Sequence, residues 1–170
     1  YEDMGNLMRY KRHLCAIVVS LCSTVCAGSQ TSPAVALPAA LHDHLKSERL
    51  DMVTSIRGLP LGVREALQTL FRTPSLDIAE PGAAFQATDV RADPTLPNRR
   101  LVAAGCSNDH CLVYYERGGI AQTWLVALFH WTPAETRFEW GGSAPGSLST
   151  IDDVRNAVLS GAIKGPNKSW

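Results

Sequence analysis

Leucines recur every fourth position at Leu37, Leu41 and Leu45, the apolar stripe of an amphipathic helix, which predicts a helix over residues 38–50. Asp43, Lys46 and Glu48 fall on its polar side, and residues 51–57 read as its continuation. Gly58-Leu59-Pro60 breaks the pattern. A second helix is predicted over 61–72, where Val63, Leu67, Leu70 and Phe71 share one face and Pro60 suits the first turn.

The period then changes from about 3.6 to 2. Residues 83–90 form a weak strand candidate and 93–98 a loop. Residues 99–106, 111–117 and 120–131 read as strong strands, rich in Val, Leu, Tyr, Trp and Phe. Gly118-Gly119 is read as a tight hairpin turn, residues 137–140 as a short edge strand, and Gly141-Gly142 as its end. Ser149 with Asp152 resembles a capping box at the start of a last helix. Its apolar face is Ile151, Val154, Val158 and Ala162, and Gly165-Pro166 is expected to stop it.

The predicted fold class is α+β: an antiparallel sheet of about four strands, with a core hairpin at 111–131, packed with two to three helices. A turn at Gly118-Gly119 sets Val113 opposite Trp124 and Leu112 opposite Leu125. A bridge between Cys106 and Cys111 sets Ala104 opposite Val113. One sheet face then carries Val102, Ala104, Val113, Tyr115, Trp124, Val126 and Leu128. The other carries Leu101, Ala103, Leu112, Tyr114, Leu125 and Phe129. Both faces are largely apolar; three helices are expected to cover one face and part of the second, and a protein partner or self-association to close the remainder.

The first residues follow a different logic. Arg9, Lys11 and Arg12 precede an uncharged apolar run at 14–26, and small residues follow at Ala27, Gly28 and Ser29. That is the three-part pattern of a secretory signal peptide at 1–27, and the run is shorter than the roughly 20 residues of a membrane span. Neither Cys22 nor Cys26 follows the pattern of a lipid-attachment site. Residues 28–36 read as a flexible lead-in and 37–170 as a single domain. The expected address is periplasmic or secreted, with no membrane association after cleavage.

Composition narrows the partners. The 170 residues carry 16 basic and 16 acidic side chains, a balance unlike that of a strongly basic nucleic-acid binder, so no nucleic-acid partner is expected. Three of the five cysteines lie in the leader. The remaining pair, Cys106 and Cys111, reads as a disulfide clamping Ser107-Asn108-Asp109-His110. Closing so small a ring contributes about 2 kcal/mol by the chain-entropy estimate, so it shapes the loop more than it holds the domain.

Chemistry is sparse. The register carries His130 towards the clamped loop, so Asp109, His110 and His130 are the candidate catalytic residues, with Asp109 orienting a histidine for proton transfer. A polar loop beside a strand end accounts for the same letters. His42 and His44 are two apart on a helix and point in different directions, which predicts a solvated face rather than a chelating pair. A zinc site at the loop lacks ligands beyond His110. No cofactor or metal is therefore expected. No nucleophile elbow, phosphate loop or zinc-protease motif occurs.

Ser107, Asn108, Asp109 and His110 are the candidate binding residues, joined by Trp140 as the expected exposed aromatic. The leading expectation is a small exported binding protein, an inhibitor or immunity-type partner of another protein. The alternatives are a small exported hydrolase using the histidine end of the sheet, and a structural envelope component.

Overall fold

The computed structural model describes residues 36–91, 93–146, 148–163, 165 and 170. The expected signal peptide, and the lead-in apart from Ala36, lie outside the described residues. Helices α1 (Ala39–Ser47), α2 (Leu61–Phe71) and α3 (Ile151–Leu159) accompany five strands. These are β1 (Asp51–Val53), β2 (Arg99–Cys106), β3 (His110–Arg117), β4 (Thr123–Trp131) and β5 (Thr136–Ala144). They form one antiparallel meander in chain order, so the fold is α+β as expected, with five strands rather than about four. No helix among the described residues is long and apolar enough to cross a membrane.

The sheet has a core on each side. On one, Val63, Leu67 and Phe71 of α2 meet Leu101, Ala104, Val113, Tyr115, Leu125, Ala127 and Phe129. On the other, Leu45 of α1 and Ile151, Val154 and Val158 of α3 meet Leu112, Tyr114, Val126, Leu128 and Trp140. The expectation of two apolar faces holds, and helices pack on both, leaving a cleft between α2 and the β4–β5 hairpin where Phe138 is exposed. Among the described residues little sheet surface is left for a partner to close.

Four sequence expectations are corrected. First, residues 51–53 leave the helix and pair with β2 as a short edge strand, Asp51 facing Cys106. The backbone already turns extended at Glu48, whose ψ is 145°. Second, residues 83–90 form no strand. The segment before β2 contributes only a bridge at Ala79, which pairs with Arg100.

Third, the β3–β4 connection is longer than a two-residue turn. Val113 faces Ala127, and Trp124 faces Glu116. Gly118 and Gly119 are tied to a neighbouring loop through bonds from their N–H groups to Asn98 O (3.0 Å) and Ala87 O (3.3 Å). Ile120 is 93% exposed and offers no reason to pair. The slip moves the partner of Val113 by three residues, an odd number, so Leu125 and Phe129 join Val113 and Tyr115 while Val126 and Leu128 take the opposite face. The pairing of Ala104 with Val113 is as expected. A bulge at Val102 puts Leu101 on that face as well.

Fourth, Trp140 is buried at 6% exposure, and β5 runs through Gly141 and Gly142 to Ala144. Phe138 faces Phe129 and Trp140 faces Leu128, so Glu139 is an extra, bulged residue. The bulge turns Phe138 and Trp140 to opposite faces. Glycine is required at 141 because a Cβ there would lie 2.4 Å from Val126 O and 2.5 Å from the Trp170 ring.

Candidate functional site at the β2–β3 end of the sheet

The last register positions of three strands meet α1 at one end of the sheet. Cys106 faces Cys111 across β2 and β3, and the two are joined by a disulfide. The bridge closes the turn 107–110, which is also bonded from within. Ser107 N–H donates to His110 O (2.7 Å), and Ser107 Oγ accepts from His110 N–H (2.9 Å) and Asp109 N–H (3.2 Å). Trp131 holds it from the side, its indole N–H on Ser107 O (3.0 Å) and its backbone N–H on Asp109 O (2.8 Å). Asn108 and Asp109 face solvent while His110 is buried.

His110 is the centre of a polar cluster. It pairs with His130 across the β3–β4 ladder, and their ring centroids lie 5.6 Å apart. Its Nδ1 is 2.9 Å from Glu48 Oε1 and its Nε2 is 3.1 Å from Glu139 Oε2. A neutral imidazole donates from one nitrogen only, so both carboxylates receive a hydrogen bond from His110 only when the ring carries two protons. Glu48 Oε1 also faces His44 Nε2 at 2.5 Å, and Glu48 Oε2 accepts from Ser107 Oγ at 2.9 Å. Asp109 Oδ2 stands 3.8 Å from His44 Nε2. On the far side Arg137 donates to Glu139 Oε1 at 2.9 Å.

Local structure explains the placements. His44 and Glu48 sit four apart, one turn of α1, so both reach the same side. Glu139 reaches His110 from the bulge in β5, a device that re-aims a side chain beside a site. The structure thus brings Asp109, His110 and His130 to one end of the sheet together with Ser107 and Asn108, and it places Trp140 elsewhere, in the core behind α3. His42 turns away to Leu159 O (3.3 Å), so His42 and His44 indeed do not converge. His44 is exposed, as a solvated face predicts, and its Nε2 also joins the cluster through Glu48.

Sequence reasoning missed His44, Glu48 and Glu139. The four-residue spacing of the first two was a usable signal. Glu139 had none, because only the bulge directs it inward.

A surface concavity of about 410 Å³ adjoins the turn, lined by His44, Glu48, Ser107, Asn108 and Asp109 among others; His110 and His130 do not line it. A larger cleft of about 740 Å³ runs between α2 and the β4–β5 hairpin and holds none of these residues. No family model, curated protein or solved structure matches the chain.

Proposed function

We propose that the protein is a small exported binding protein, periplasmic or secreted, that recognises another protein through the disulfide-closed turn 107–110. The observation that carries this reading is the construction of the turn. It is fixed by a covalent bridge and by bonds from Ser107 and Trp131, and it presents Asn108 and Asp109 to solvent. A preorganised turn loses little conformational freedom on binding, so its contacts convert more fully into affinity. The disulfide also fits an oxidising compartment, which agrees with the leader-like first residues. The hydrolase alternative is supported less, since its two candidate histidines, His110 and His130, do not line the concavity where a substrate would sit.

The test is capture from periplasmic extract and culture fluid on immobilised protein, followed by titration of the captured protein against wild type, Asn108→Ala and the Cys106→Ser, Cys111→Ser double variant. One specific protein should be retained, with affinity at least about tenfold lower for each variant, equivalent to about 1.4 kcal/mol. Capture of nothing, or equal affinity for all three, overturns the reading.

A further inference from the structure

We infer that His44, Glu48 and His110 form a binding site for a divalent transition-metal ion of the Zn2+ class, with Asp109 as the fourth ligand. This goes beyond the recognition of a partner and does not depend on it. One ligand atom from each of His44, Glu48 and His110 lies within 4.8 Å of the others. The separations of 2.5 Å from His44 Nε2 and 2.9 Å from His110 Nδ1 to the same Glu48 oxygen are those of hydrogen bonds. A tetrahedral ion with bonds of about 2.0–2.1 Å separates its ligand atoms by about 3.4 Å. Opening these two separations to that size takes shifts of less than an ångström. Asp109 Oδ2 lies 3.8 Å from His44 Nε2 but outside the group whose ligand atoms are mutually within 4.8 Å, so a rotation of its exposed side chain brings it in as the fourth ligand and completes two nitrogens and two oxygens.

Three observations point to a cation on this side of His110. Glu48 is only 12% exposed, and the basic groups that face its carboxylate are imidazoles, not Lys or Arg. Arg49, which lines the same concavity, turns its Nε to Asp51. The concavity gives an ion a path from solvent to His44, Glu48 and Asp109.

The bonding of His110 supplies the third. With an ion on Nδ1, its Nε2–H donates to Glu139, and the ring satisfies both sides without a second proton. Glu139 then acts as the outer carboxylate that orients a metal-bound histidine, itself held by Arg137. His130 and Glu139 make an equivalent group with the other nitrogen of His110, but there the guanidinium of Arg137 already neutralises the carboxylate.

The experiment uses the full chain without an affinity tag, stripped with chelator and then dialysed. Zn2+ is titrated by calorimetry, and Co2+ by its visible ligand-field band, which reports tetrahedral coordination. Wild type should take up one equivalent. His44→Ala and Glu48→Gln, both at the edge of the concavity, should lose about 100-fold or more in affinity. Glu139→Gln should lose tenfold to 100-fold, the usual cost of an outer-shell change. His130→Ala should bind as wild type does, and far-ultraviolet circular dichroism of each variant checks that it folds. Absence of saturable uptake by wild type overturns the inference. So does uptake that survives both His44→Ala and Glu48→Gln, or that disappears in His130→Ala.

Discussion

Tyr114 and Tyr115 are neighbours on β3, both without solvent exposure, and they point into different cores. The Tyr114 hydroxyl donates to Pro145 O at 3.1 Å. The Tyr115 ring packs edge-on against Phe71 at 5.2 Å, and its hydroxyl has no hydrogen-bond partner among the described residues. Removing an unpaired buried hydroxyl is favourable, whereas removing a paired one strands its acceptor. Tyr115→Phe should therefore raise stability by about 1 kcal/mol and Tyr114→Phe should lower it by about as much, read by urea denaturation. Burial pushes the Tyr114 phenol up to about 12 and raises that of Tyr115 as well. A folded-state value above the unfolded one favours the protonated, folded form. That contribution is complete below about pH 10 and is lost as pH rises through the folded values, so Tyr115→Phe should also lessen the alkaline loss of stability.

At the level of elements, α3 shows how a correct signal acquires the wrong boundary. Ser149 with Asp152 and Thr150 with Asp153 both fit a capping box, and the structure uses the second. With Thr150 as the cap, Ile151 opens the helix and packs beside Gly105, where a Cβ would lie 2.8 Å from its Cγ1. The helix ends at Leu159, and Gly161, whose φ of 73° suits glycine, turns the chain away before Ala162 can join the apolar face. Thr150→Ala should cost about 1 kcal/mol. The bonds from the Thr150 side chain and backbone, in that order, hold the Asp153 carboxyl below its ordinary value. Its contribution is present above the unfolded value, about pH 4, and is lost as pH falls through the folded one. The Tm difference between wild type and Asp153→Asn should therefore shrink on acidification through this range. The β3–β4 hairpin went wrong for a related reason. Two glycines permit a tight turn, but the contacts of Gly118 and Gly119 with Asn98 and Ala87 place them in a wider one.

At the scale of the whole molecule, Arg99 ties together distant parts of the chain. Buried at 6% exposure, it donates to Asp77 at 2.6 Å and to Trp170 O at 2.6 Å, and its guanidinium lies 4.0 Å over the Phe71 ring. Asp77 also accepts from Asn98 N–H and Nδ2. Burial lowers the Arg99 value from its ordinary one, and the charge of Asp77 opposes that shift. Removing one partner of such a pair leaves the other buried and uncompensated. Asp77→Ala should accordingly cost about 3–5 kcal/mol in urea denaturation, and Asp77→Ala combined with Arg99→Met should recover part of it.

Local patterns along the chain specify the periodic elements and their apolar contacts. The strand at 99–106, the start of α2 at residue 61, the apolar residues on both sides of the sheet and the Cys106–Cys111 bridge were all legible, because each depends on residues near one another in the chain. The nearness of His110 and His130 was legible from the adjoining strands that carry them, whereas Asp109 turns its carboxylate towards His44. Tertiary structure alone decided the rest. Edge pairing drew residues 51–53 into the sheet, an odd slip in register exchanged the faces of β4, and a single bulge buried Trp140 and aimed Glu139 at His110. A side-chain period of two makes every such assignment depend on one residue of register, and register is fixed by long-range packing that no local pattern contains.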